Sequence, residues 1–156
     1  MLKCILISGL YVAAKALRQG ELLKESMEST FAILQQAGEE LPRAMGDTKL
    51  TGDIQHMNDI LQKTSDDSIM ITEATANKRT VNMLKLYANL AHMLHFTDPS
   101  LIGSVSLRMV EITMKSGLTS TAPLAFAHYG EMLASIGHIN EGCRLGKCCR
   151  VWYKYE

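Results

Sequence analysis

Residues 86–155 read LYANLAHMLHFTDPSLIGSVSLRMVEITMKSGLTSTAPLAFAHYGEMLASIGHINEGCRLGKCCRVWYKY, and this stretch decides the fold. Apolar residues recur every three or four positions throughout it, the spacing of amphipathic helices. Pro99 and Pro123 stand near two helix starts, where a missing N–H costs nothing, and Gly117 and Gly137 fall at two ends. Asp98 is placed to cap the helix that Pro99 opens, and Ser120 or Thr121 the one containing Pro123. Leu84, Tyr87, Ala91 and Leu94 form one stripe, and Met83, Leu86, Leu90 and Met93 a second. Two stripes imply burial on two sides, as in the middle of a helical stack. In the next helix Ile102, Val105, Met109 and Ile112 are joined by Leu107, Val110 and Met114. Phe126, Tyr129, Leu133 and Ile136 then share a face, Gly137 closes that helix, and Asn140 is placed to cap the last one. The reading is all-α, built of antiparallel helix hairpins.

Working outward, the helical pattern continues more weakly toward the N-terminus. A largely apolar helix is predicted over residues 2–18, ended by Gln19–Gly20, and a second over 22–37 with Leu23, Met27, Phe31 and Leu34 at helical spacing. Pro42 and Gly46 mark a loop from Glu39 to Asp47. Residues 48–63 read as a weaker amphipathic helix carrying Ile54, Met57, Ile60 and Leu61. Ser65–Ser68 reads as an exposed turn, the patch Ile69–Ile71 has no clear assignment, and the next helix runs from Thr75 to Phe96. The whole is expected to be one helical-repeat domain over 1–156, with a weakly patterned insert over 43–76.

The 156 residues suffice for one domain with a core. Hydrophobic residues make up 47 % and charged ones 21 %, the mixture of an ordinary globular protein. Sixteen basic residues balance sixteen acidic ones, so no global field favours nucleic acid or anionic lipid. The apolar run Cys4–Ala14 behind Lys3 is too short to span a bilayer, which takes about 20 residues. It reads as a buried helix, the other reading being a signal peptide over 1–14. Cys148 and Cys149 are adjacent and poorly placed for a mutual disulfide. Together with Cys4 and Cys143 they suggest free thiols in a reducing, cytoplasmic setting.

The chemistry-bearing residue types do not assemble into a reaction centre. Gly142–Cys148 (GCRLGKC) has three residues between its glycines where a phosphate-binding loop needs four, and it lies in a predicted helix. His92 and His95 share a helix face, but no further ligand pair completes a zinc set. Cys143, Cys148 and Cys149 point to different sides of one helix and read as small packing residues. A redox-sensing thiol beside Arg144, Lys147 and Arg150 is the sharper reading, since cations lower a thiol pKa. No GxSxG elbow occurs, and Glu39–Glu40 and Asp66–Asp67 read as solvated turns. No cofactor and no metal are expected.

The last two helices resemble a tetratricopeptide-type unit, in which small residues let two helix backbones approach. With Gly137 at the turn, Phe126, Tyr129, Gly130 and Leu133 fall on inner positions of the first helix, and Gly142 and Cys149 on small positions of the second. Gly146 departs from the pattern, where such units carry an aromatic residue. Arg144, Lys147 and Lys154 lie along one side of the last helix, with Arg150 flanking, and form a candidate partner surface. A wider resemblance rests on SMESTFAILQQAGEELP (26–42), Leu86–Met93, Pro99–Leu101, MVEITMKSG (109–117), Ala125–Gly130 and Gly137–Lys147. Together these are similar to the helical region of large multidomain signalling proteins of the predicted-ATPase, serine/threonine-kinase and histidine-kinase type. These motifs are helix-packing signatures and bring no catalytic residue with them.

The resemblance implies a tetratricopeptide-like α-solenoid fragment that is not itself an enzyme. Its partner would be a protein, either a peptide or a neighbouring domain, with no role for nucleic acid or membrane. The alternative is a regulatory segment of an ATP-dependent kinase or ATPase whose catalytic domains lie outside this chain. Val151–Tyr153 and Tyr155 are aromatic or apolar and are expected to pack against a following helix.

Overall fold

The structure, a computed structural model, describes residues 20–70 and 73–152. The described residues are helical, apart from turns and one isolated parallel bridge between Ala74 and Leu118. The chain divides into two compact units, residues 1–41 and 42–156, with the boundary inside the expected Glu39–Asp47 loop.

In the first unit, α1 (20–36) carries the buried residues Thr30 and Leu34. It ends because Gly38 turns to φ +82°, letting Glu39 N–H reach the Leu34 carbonyl at 2.9 Å and Gly38 N–H reach Gln35 at 3.0 Å. Gly20, expected at a turn, is helical. The helix expected over 2–18 lies outside the described residues.

The second unit begins with α2 (Thr48–Lys63), which starts where the Asp47 carboxylate accepts from Leu50 N–H at 3.0 Å. It buries Leu50, Ile54, Met57 and Leu61, while Ile60, expected on that side, is at the surface. The expected turn at Ser65–Ser68 is instead the start of a short helix, α3 (Asp66–Met70). Ser65 Oγ accepts from Ser68 N–H, and the helix drives Ile69 to 1 % exposure. A serine able to bond its own backbone suits a helix start as well as a turn, and the sequence alone left that choice open.

The long helix α4 runs over Lys78–Thr97. It starts three residues later than expected, because Asn77 caps it through Arg79 and Thr80 N–H. Thr75 is held in extended backbone instead: its N–H donates to the Leu118 carbonyl, and Leu118 N–H donates to Glu73. Gly117, at φ +100°, permits this strap, since a β-carbon there would lie 2.6 Å from the Glu73 carbonyl oxygen. Asp98 accepts from Ser100 N–H and introduces a single turn, Pro99–Leu101, that runs into α5 (Ile102–Ser116).

Helices α6 (Ala122–Ser135) and α7 (Ile139–Trp152) follow. Gly137, at φ +99°, ends α6 as Gly38 ends α1: His138 N–H reaches Leu133 and Gly137 N–H reaches Ala134. The first turn of α7 is closed by Gly142 N–H on the His138 carbonyl, so Asn140 lies inside the helix and is not its cap. Ile136, expected to face inward with Leu133, sits in the turn and is 43 % exposed.

The core of this unit is formed by Leu84, Tyr87, Leu90 and Leu94 from α4, Val105, Met109 and Val110 from α5, Phe126, Tyr129 and Leu133 from α6, and Leu145 from α7. Hydroxyls buried with them bond back to their own helix, Thr113 to Met109 and Ser106 to Gly103. The 20-residue helix α4 carries polar residues along its length, and no described helix is long and apolar enough to cross a membrane.

Candidate interaction site

Helices α6 and α7 meet backbone to backbone. A β-carbon on Gly130 would lie 3.0 Å from the Gly142 carbonyl oxygen and 3.3 Å from Leu145 Cβ. One on Gly142 would run into the Gly130 carbonyl oxygen and stand 3.0 Å from Ala134 Cβ. Further along, Cys149 Sγ donates to the Pro123 carbonyl at 3.2 Å. Residue numbers that fall along α6 (134, 130, 123) therefore pair with numbers that rise along α7 (142, 142, 149), which makes the pair antiparallel. Gly146, one turn after Gly142, is exposed, with open space where a side chain would be.

Phe126, Tyr129 and Leu133 are fully buried. The Tyr129 hydroxyl donates to the Ile54 carbonyl of α2 at 3.2 Å, so an inner position of α6 already holds another helix. Burial, with the nearby Glu111 charge adding to it, pushes the Tyr129 phenol far above its ordinary range, and it remains a neutral donor.

Arg144 is not part of an open basic strip. Its Nε donates to Asp66 at 2.7 Å and its Nη1 to Glu141, while Nη2 reaches the Leu61 and Thr64 carbonyls at 2.8 and 2.9 Å. Those carbonyls are at the C-terminal end of α2, where the helix dipole favours a cation. One planar guanidinium thus joins α7 to α2 and α3. Lys147 is exposed on α7, and Lys154 lies outside the described residues.

The thiols differ sharply. Cys143 is exposed, while Cys148 and Cys149 are buried. Burial and the Asp66 carboxylate raise the Cys148 pKa against the opposing pull of Arg144. Burial, with the adjacent Cys148 adding to it, pushes Cys149 up to about 11. Desolvation outweighs the cations that suggested an activated thiol, so neither buried sulfur is poised as a thiolate.

The structure also adds a residue that the sequence reading passed over. His128 on α6 lies against His95 on α4, ring centroids 5.0 Å apart and planes tilted by 46°. His92, one turn before His95, packs edge-on to Phe96. His128 sits on a helix with apolar neighbours, and no local pattern pairs it with a histidine 33 positions earlier. Among the described residues, no group of three or more His, Cys, Asp or Glu side chains is arranged to hold a metal ion.

The outward side of α7 carries Ile139, Cys143, Gly146 and Lys147, all exposed and spaced along one helical face. Ile139 alone is 60 % exposed. This face is the candidate contact surface. Comparison of the chain with protein-family profiles, curated proteins and solved structures finds no significant match.

Proposed function

We propose that this chain is a helical-repeat module of the tetratricopeptide-like kind, which works by shape and makes contacts with a protein partner or a neighbouring domain. The observation that carries this reading is the α6–α7 hairpin closed at Gly130 and Gly142, with its inner side chains buried and a mixed apolar and basic face on α7 turned outward. Residues of this kind at this spacing are spent on bringing two backbones together, which serves stacking and presentation. The chain itself gives a precedent, because Tyr129 and Arg144 both engage α2 through its backbone carbonyls. The likeness to the helical region of signalling ATPase and kinase proteins supports the same reading, in which the module links or positions domains.

The test uses a photo-reactive amino acid placed at Ile139 or at Lys147 in the full chain, expressed in its own cells. A discrete covalent adduct to one protein, formed from the α7 face and absent when the same group is placed at Lys85 on α4, is the expected result. No adduct from either α7 position would overturn the reading. So would saturable ATP binding or unaided substrate turnover by the purified chain.

A further inference from the structure

The histidines that meet between α4 and α6 serve no role in the contact surface on α7. His95 is exposed on α4, and His128 on α6 is enclosed, with only 15 % of its side chain open to solvent. With ring centroids 5.0 Å apart, both can be neutral at little cost, but two imidazolium ions at that spacing repel across a partly desolvated gap. From these positions, we propose that the His95–His128 contact is an acid-sensitive joint, which holds α4 against α6 near neutral pH and loosens when the pair takes up protons.

The charged groups that act on His128 come from those two helices. His92 and His95 face it from α4, and Glu131 faces it from its own helix with a carboxylate oxygen 3.9 Å from Nδ1. Glu131 is 73 % exposed, so its favourable charge is strongly screened by water. Burial comes first and His95 second in lowering the His128 pKa below its ordinary value, and together they outweigh Glu131. The folded chain therefore keeps His128 neutral to lower pH than the unfolded chain does. Stability is fully present above the unfolded imidazole pKa, about 6.5, and is lost as pH falls through that value toward the lower folded one. Helices α4 and α6 both pack on α5, and the histidine contact is a local bridge between them rather than a broad seam, so loosening it alters the angle at which the hairpins follow one another. That angle fixes the shape of any surface they present, whatever the partner.

Hydrogen exchange on the full chain at pH 7.5 and 5.5, corrected for intrinsic exchange, reads the joint directly. Amides of residues 88–97 and 122–130 should lose protection on acidification, by at most about tenfold for the one proton that His128 takes up, while Leu145–Cys149 in α7 changes little. His95→Gln, at an exposed position, should remove the part of the loss that His95 causes and leave the part due to burial. In the wild-type chain, proton NMR should place His128 titration below that of a free histidine and move it upward in His95→Gln. Equal protection at both pH values, an equal loss in His95→Gln, or a His128 pKa indifferent to residue 95 would each overturn the proposal.

Discussion

Two glycines on the same helix behave oppositely, and the difference comes from what each would touch. At Gly142 a β-carbon meets the Gly130 backbone, which cannot rotate away as a side chain could. Gly142→Ala should therefore lose stability by about 1–2 kcal/mol, the overpacking cost less the helix-propensity gain of alanine. At Gly146 there is only open space, so Gly146→Ala should gain about 0.5–1 kcal/mol. Urea denaturation of both variants reads the two signs, and a matched sign would remove the close approach from the account. Arg144 is the other decisive residue. Arg144→Met takes away the partner of Asp66, of Glu141 and of the Thr64 carbonyl, and one of the two donors on the Leu61 carbonyl, at a cost of about 1–3 kcal/mol. Arg144→Lys should recover little of it, because a point ammonium cannot span a carboxylate and two carbonyls at once. A lysine variant as stable as the parent in urea would show that charge alone suffices.

At the level of elements, the strongly periodic helices were legible and their borders less so. The spacing of Leu84, Tyr87, Ala91 and Leu94 reports one face of α4 directly, and all four are buried. The start of α4 was not legible, because it depends on a distant partner: Leu118 bonds Glu73 and Thr75 and so pairs with Ala74 in a bridge, and Asn77 becomes the cap. Nor was α3, where Ser65 could have served a turn as readily as a helix start. Within the candidate site, small residues signalled where backbones could approach. Arg144 read as a surface cation because its partners lie about 80 residues away, on α2 and α3. The His95–His128 contact was invisible for the same reason. Helix α7 also sorts its thiols by face. Brief maleimide treatment of the folded chain, read by peptide mass spectrometry, should label Cys143 at least tenfold faster than Cys148 or Cys149. Equal labelling of the three would mean that the inner face of α7 is open.

For the molecule as a whole, the second unit is a set of helices held at defined register by a few backbone-level contacts. Glycine against glycine joins α6 to α7, a tyrosine hydroxyl joins α6 to α2, and an arginine fork joins α7 to α2 and α3. Apolar burial supplies the stability, and these contacts choose the arrangement. A module that works by shape depends on that arrangement, so the most direct test is a nuclear Overhauser spectrum of the full chain at neutral pH. Alpha-proton cross-peaks between Gly130 and Gly142 are expected, together with peaks linking the Tyr129 ring to Ile54. A well-dispersed spectrum that lacks the Gly130–Gly142 peaks would contradict it.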